Sequence, residues 1–147
     1  MKNFLLLKSR IKKNEGFRNI AYSDVLGFKT IGFGHLIKKD EKHLLNKKQN
    51  KKYLENIFEL DFAQAFNDFK AVYKKDKYPK NTQEVLIEMI FQLGIKNQKK
   101  FIKMNKYLKK NQLFMAALEM KKSLWYKQTP KRVNMLIKLL LKKKYEK

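Results

Sequence analysis

The stretch from Glu15 to Leu36, EGFRNIAYSDVLGFKTIGFGHL, differs in texture from the rest of the chain. Between Ala21 and His35 it carries three of the five glycines, with aromatic and β-branched residues between them. Short apolar runs separated by glycine are typical of β-hairpins, and the segment Asp24 to Gly27 is suited to the hairpin turn. The sequence predicts that this is the only convincing β region.

Helical periodicity surrounds this β region on both sides. Apolar residues recur there at spacings of three and four, which predicts amphipathic helices. Proline and glycine mark several of their ends. The predicted helices are Met1 to Asn14, Lys51 to Tyr73, one capped by Asn81 or Thr82 and ended by Gly94, two segments near 98–109 and 112–122, and a last basic helix that Thr129 and Pro130 open.

The expected fold class is α+β and mostly helical. The chain has 147 residues, 44% of them hydrophobic, which is enough to bury the core of one domain. We expect two lobes with a cleft between them that serves as a binding site. Within one domain spanning 1–147, the predicted parts are a small β-containing lobe at 15–50, a connecting helix at 51–75, and a helical lobe made of 1–14 and 80–147.

Composition excludes several classes of protein. The chain has no cysteine and only two histidines. Disulfide frameworks, thiolate zinc sites, cysteine nucleophiles and histidine-rich metal centres are therefore not expected, and no metal or cofactor is predicted. No apolar run approaches the roughly 20 residues of a membrane span, and the apolar start is too short for a signal peptide. We expect synthesis in the cytoplasm, so that action outside the cell would require release by another component.

The charge balance is the strongest compositional signal. Lysine and arginine total 36 against 13 aspartates and glutamates, a net charge of +23, and all but three of the cations are lysines. Such a charge implies attraction to a polyanion, which could be nucleic acid, anionic lipid or an anionic cell wall. Part of the lysine excess also fits an AT-rich coding genome. Charge alone does not choose among the three partners.

Three residues of the opening stretch could carry chemistry. Glu15 falls where the first helix is expected to end, Asp24 follows nine residues later in the predicted turn, and Thr30 fifteen residues later. A protonated carboxyl together with an ionised one can act as acid and base on a glycosidic bond. On spacing alone the indication is weak, since carboxylates at helix ends and in turns are usually solvated or capping residues.

The whole stretch from Glu15 to Leu36 resembles the active-site signature of the T-even phage lysozymes, glycoside hydrolase family 24. A second resembling block comprises Met89 to Gly94 and Lys122 to Arg132. The resemblance implies a two-lobe lysozyme-like fold and an inverting endolysin that cuts the β-1,4 bond between N-acetylmuramic acid and N-acetylglucosamine. It implies Glu15 as the acid, Asp24 as the ionised carboxylate that stabilises positive charge and orients a water, and Thr30 as a second group positioning that water.

The same resemblance implies supporting residues. Arg132 would face the catalytic glutamate, with a solvent-facing charge as the alternative. His35 would form a buried pair with Asp61. The resemblance also implies four residues on the substrate side or the cleft floor: Leu36, Phe91, Gln92 and Trp125. For Leu36, Phe91 and Trp125, core packing is the alternative. The expected partners of this monomer are peptidoglycan glycan strands and anionic wall polymers.

The chain also departs from the family pattern. Residues 37–52 are shorter and more basic than expected, the C-terminus ends early, and Met104 and Glu119 stand where polar neutral sugar-contacting residues are expected. Two other hypotheses remain: a non-catalytic cationic binder of wall, membrane or nucleic acid, whose last helix would lie in an interface, and a degenerate lysozyme that binds without cutting. No dedicated nucleic-acid motif is present, and intact Glu15, Asp24 and Thr30 argue against degeneracy.

Overall fold

The computed structural model describes residues 4–142, and these form helices and one small antiparallel sheet. The N-terminal elements are α1 (Leu5–Glu15), β1 (Arg18–Ser23), β2 (Lys29–Gly32), β3 (His35–Leu36), a short 3-10 turn (Lys42–Leu44) and α2 (Lys51–Tyr73). The later elements are α3 (Lys80–Leu93), α4 (Ile95–Lys99), α5 (Ile102–Lys109), α6 (Leu113–Lys122), α7 (Leu124–Gln128) and α8 (Pro130–Leu141). The predicted fold class, α+β and mostly helical, is confirmed.

The chain divides into two compact units. The first ends at Gln64 and the second begins at Ala65, so that the division falls within α2. The lobe boundaries predicted from the sequence, including the assignment of 1–14 to the helical lobe, stay predictions.

The first unit is built around the sheet, whose strands are ordered β1-β2-β3. Tyr22 pairs with Thr30 across the hairpin, and Thr30 pairs in turn with Leu36 of β3. Ile31 of β2 forms a buried apolar cluster with Leu44, Leu54 and Ile57. Leu7 and Ile11 of α1 are fully buried, as the spacing of its apolar residues predicts.

The second unit has α3 as its most buried helix. The apolar positions Val85 and Met89 are fully buried, and so is the charged residue Glu88. The buried stripe of α8 follows the predicted spacing of three and four, although Leu141 at its end is exposed. Burial on this scale is the main source of stability for short helices such as these.

Several predicted helix boundaries are confirmed, and each has a local cause. The bounds of α2 agree with the predicted Lys51 to Tyr73. Gly94 ends α3 with φ +81°, and its N–H donates to the carbonyl of Ile90. Pro130 opens α8 at the position where its missing N–H costs nothing. For the first helix, residues 1–3 lie outside the described residues.

Other predicted boundaries are wrong. Neither Asn81 nor Thr82 caps α3, because Pro79, in extended geometry with φ −58° and ψ 156°, already starts the helix at Lys80. The segment predicted near 98–109 is broken where Phe101 leaves helical geometry between α4 and α5. The sequence also missed α7, whose N-cap is made by the Ser123 hydroxyl accepting from the N–H of Tyr126.

Candidate active site

The turn between β1 and β2 is closed by backbone and side-chain hydrogen bonds around Asp24. The Gly27 N–H donates to the Asp24 carbonyl at 2.9 Å, and Gly27 has φ +86°, which confirms the predicted turn. One carboxylate oxygen of Asp24, Oδ1, accepts from the N–H of Leu26 at 2.9 Å and of Phe28 at 2.8 Å. These two donors fix the carboxylate in one orientation. No described residue hydrogen-bonds the other oxygen, Oδ2.

Phe28 holds Thr30 as well as Asp24. Its carbonyl accepts from the Asp24 N–H at 2.9 Å and from the Thr30 hydroxyl at 3.0 Å. Thr30 is buried on β2, opposite Tyr22 of β1. The backbone of one residue therefore positions both groups that the sequence proposes for handling water.

Glu15 is the last residue of α1, and its carboxyl group lies against the turn between β2 and β3. A Cβ atom built at Gly34 would lie 2.2 Å from Glu15 Oε2 and 2.8 Å from its Cδ. Gly34 also has φ +77°, which disfavours any side chain. The sequence identified Gly34 only as part of the β region; its second role is to leave room for the Glu15 carboxyl.

The charges of both carboxyl groups, Glu15 and Asp24, act on the side chain of Tyr22. Burial raises the pKa of Tyr22, and so do the negative charges of Glu15 and, more weakly, Asp24. The positive charge of Arg18, whose guanidinium lies 4.5 Å from the centre of the Tyr22 ring, opposes this rise. The sequence predicts no separate role for Tyr22.

His35 lies between two carboxylates. Its Nδ1 lies 2.8 Å from Asp61 Oδ2, as predicted, and its Nε2 lies 2.9 Å from Glu41 Oε1. The hydrogen bond to Asp61 raises the pKa of His35, burial opposes this rise, and the hydrogen bond to Glu41 reinforces it. Burial acts to raise the pKa of Glu41, but the Lys38 N–H and His35 together lower it. The sequence missed Glu41, which no spacing rule connects to His35.

The second unit contains a buried ion pair that the sequence did not predict. Arg132 Nε donates to Glu88 Oε2 at 3.0 Å, and the side chain of Glu88 is completely buried while that of Arg132 is 9% exposed. The alternative of a solvent-facing charge at Arg132 is therefore wrong. Glu88 is the single charged residue in an apolar run of α3, and this is the sequence feature that could have indicated a buried ion pair.

Gln92 and Trp125 contact each other within the second unit. Trp125 Nε1 donates to Gln92 Oε1 at 2.9 Å, and Gln92 Nε2 donates to the Thr129 hydroxyl at 3.3 Å. Trp125 is 3% exposed and packs edge-on against Phe101. Of the two roles open to Trp125, its burial favours that of a core aromatic, held in place by Gln92.

The remaining sequence candidates lie in different surroundings. Leu36 is exposed at the end of β3, whereas Phe91 is half-buried on α3. Met104 is buried in the core, and Glu119 lies 3.4 Å from Lys122. Within residues 4–142, no three histidine or acidic side chains are placed to hold a metal ion. None of the helices in that range combines the length and the apolar character that a bilayer crossing requires.

The fold is α+β and mostly helical, with one carboxyl group at a helix end and another in a β-hairpin. This combination is typical of lysozyme-type glycoside hydrolases. The chain matches the phage lysozyme family over residues 12–144, and it belongs to that family. It is 32% identical to Probable T4-type lysozyme 2 of Dictyostelium discoideum, over 89% of this chain and 91% of that protein.

Two further relatives are similar over most of the chain. Probable T4-type lysozyme 1 of Dictyostelium discoideum is 29% identical, over 91% of this chain and 92% of its own length. The pre-baseplate central spike protein Gp5 of Enterobacteria phage T4 is 28% identical over 89% of this chain, which corresponds to 27% of the spike protein. The chain is thus an enzyme of the lysozyme class.

Proposed function

We propose that this enzyme is a muramidase, an endolysin that cuts the β-1,4 bond between N-acetylmuramic acid and N-acetylglucosamine in peptidoglycan. The observation that carries the proposal is the hairpin arrangement, in which the backbone of Phe28 holds both Asp24 and Thr30. The family membership supports the reaction class. The excess of 23 positive charges supports attraction to anionic wall polymers.

The hydrogen bonds of the hairpin suggest how a water is oriented. The single hydroxyl proton of Thr30 is used on the Phe28 carbonyl, so that Thr30 Oγ1 meets a further partner as an acceptor. Oδ2 of Asp24 is a second acceptor. A water that donates one hydrogen to each oxygen keeps a lone pair for the anomeric carbon of the sugar.

The reaction then proceeds by inversion. Glu15 donates its proton to the glycosidic oxygen, and the bond from that oxygen to the anomeric carbon breaks. The water oxygen bonds to the same carbon from the opposite face, and its proton passes to Asp24. Ionised Asp24 also stabilises the positive charge that develops on the sugar ring. Exchange of protons with solvent restores the starting state of both carboxyl groups.

The decisive test is Glu15→Gln, which keeps the size of the side chain but removes the proton that the leaving oxygen needs. We expect the release of reducing ends from purified peptidoglycan to fall by about 10²–10⁴-fold, while sedimentation with the same wall stays unchanged. The matched control is Glu55→Gln on α2, which should retain wild-type activity.

Three outcomes would count against parts of the proposal. Near-normal activity in Glu15→Gln would remove Glu15 as the acid while leaving the enzyme a muramidase. If the wild type binds the wall but releases no reducing ends, a non-catalytic cationic binder is the better interpretation. A product with retained anomeric configuration would exclude the inverting mechanism.

A further inference from the structure

Helix α6 has an apolar face that no part of the described structure covers. Its buried face is formed by Ala116, Ala117 and Met120. On the opposite side, Phe114 is 66% exposed, and Met115 and Leu118 are exposed too. A helix that is apolar on both faces is normally buried on both.

Exposed apolar side chains continue on the neighbouring helices. Helix α5 packs against α6, and Ile102 in its first turn is 74% exposed. Leu124, the first residue of α7, is 67% exposed. We call the five side chains Ile102, Phe114, Met115, Leu118 and Leu124, with the lysines of α5 and α6, the α5–α6 surface.

The lysines are interleaved with these apolar residues. Ten of the residues from 95 to 128 are lysines, all exposed, and the single acidic residue is Glu119, which Lys122 neutralises at 3.4 Å. From outside this segment, Asp76 lies 3.9 Å from Lys109. One helical turn beyond Ile102 comes Lys106, and one turn beyond Leu118 comes Lys122.

We propose that the α5–α6 surface binds the surface of an anionic phospholipid bilayer. The apolar side chains would enter the boundary between headgroups and acyl chains, and the lysine ammonium groups would contact the lipid phosphates. This activity lies beyond the proposed glycosidase function and does not depend on it.

Charge complementarity alone would also fit nucleic acid or wall polymers, but the aliphatic residues decide between them. Wall glycans have no apolar interior into which Ile102, Leu118 and Leu124 could be transferred. The stacked bases of a nucleic acid admit single apolar wedges, not an apolar face that extends over three helices. A bilayer offers both the negative surface and the apolar interior. Burial of the exposed apolar side chains then adds to the electrostatic attraction.

The test is sedimentation of the full-length protein with vesicles of phosphatidylcholine, or of phosphatidylcholine and phosphatidylglycerol in equal parts. We expect binding to the anionic vesicles that is at least about tenfold stronger than to the neutral ones, since each lysine near the surface contributes about a factor of five. Phe114→Gln/Leu118→Gln should weaken that binding by about tenfold or more. The matched control is Leu6→Gln/Leu60→Gln, which changes two exposed leucines of α1 and α2 and should bind as wild type does.

A second pair of variants tests the lysines. Lys103→Gln/Lys106→Gln should weaken binding to anionic vesicles more than Lys74→Gln/Lys75→Gln, which removes the same charge outside the surface. Unchanged melting temperatures show that all four variants are folded. The proposal is overturned if anionic vesicles do not bind the protein, or if each surface variant binds as well as its control, which would indicate adsorption by net charge alone.

Discussion

The β1–β2 hairpin and the buried pairs of the second unit hold their polar groups in different ways. In the hairpin, the hydrogen bonds to Asp24 Oδ1 and from the Thr30 hydroxyl span two to four residues, and their partners are backbone groups. In the second unit, the partners of Trp125 and Arg132 are side chains 33 and 44 residues away.

Because the two regions hold their polar groups differently, we expect changes in them to have different effects on catalysis and on stability. A hairpin group held by its own turn keeps its orientation without a buried partner, so changing it should affect catalysis more than folding. A buried polar side chain whose partner is removed is left uncompensated in a medium of low polarity. We therefore expect substitutions at the hairpin site to change rates, and substitutions in the buried pairs to change stability.

The largest stability effect is expected for Glu88→Gln. The buried contact between the Arg132 guanidinium and a charged carboxylate would be lost, and breaking a buried ion pair typically costs about 3–5 kcal/mol of unfolding free energy. Urea denaturation measures the loss, and Glu119→Gln, which removes a half-buried acidic group paired with the exposed Lys122, should cost at most about 1 kcal/mol. The double variant Glu88→Met/Arg132→Met should recover most of the stability. Equal costs at Glu88 and Glu119 would show that the buried ion pair contributes no more to stability than the more exposed one.

Gly34→Ala tests whether a change at the hairpin site affects catalysis more than folding. The added Cβ would overlap the Glu15 carboxyl, and we expect turnover on peptidoglycan to fall by about 10²-fold because the acid is displaced. Gly94→Ala is the control, since Gly94 has a similar φ of +81° but nothing within 4 Å of a built Cβ. Both variants should lose about 1–3 kcal/mol of stability through backbone strain, but only Gly34→Ala should lose activity. Equal loss of activity in both would show that backbone strain, not the displaced carboxyl, is responsible.

Gln92→Leu is expected to lose less stability than Glu88→Gln. The indole N–H of Trp125 would remain buried without its acceptor, at a cost of about 1–3 kcal/mol. Thermal melting gives the cost, and fluorescence reports the changed surroundings because Trp125 is the only tryptophan. Gln128→Leu, at an exposed position, should be neutral. An unchanged melting temperature in Gln92→Leu would mean that this hydrogen bond does not stabilise the second unit.

The smallest effect is expected at His35, and it depends on pH. The raised pKa of His35 gives stability that is complete below the ordinary value of 6.5 and is lost as pH rises through the folded value. The lowered pKa of Glu41 gives stability that is present above its ordinary value of 4.5 and is lost on acidification. Both contributions coincide between about pH 4.5 and 6.5.

Asp61→Asn and Glu41→Gln should each lower the melting temperature most within that window, by the equivalent of about 1 kcal/mol. At pH 9 Asp61→Asn and the wild type should approach one another, because His35 is then neutral. Glu41→Gln should keep the part of its loss that comes from the hydrogen bond of the Lys38 N–H. Melting curves across pH measure this dependence. A loss of stability that is the same at every pH would show that these carboxylates act through packing and not through the charge of His35.

Most of the predictions from sequence that succeeded have a local cause. The bounds of α2, the turn after Asp24, the cap at Gly94 and the start at Pro130 each depend on neighbouring residues. The pair of His35 with Asp61 came from the family resemblance, and the structure shows it at 2.8 Å. The predicted roles of Glu15, Asp24 and Thr30 remain predictions, although the structure shows how the hairpin holds two of them.

The sequence by itself determined elements whose geometry follows from backbone chemistry: the turn after Asp24, the helix ends at Gly94 and Pro130, and the apolar stripes. Only the tertiary structure decided which distant side chains meet. The burial of Glu88 with Arg132, the second carboxylate at His35, and the space that Gly34 leaves for Glu15 are examples. The physical reason is that periodicity specifies which face of a helix is buried, whereas the partner that a buried polar group finds there depends on how separate elements pack.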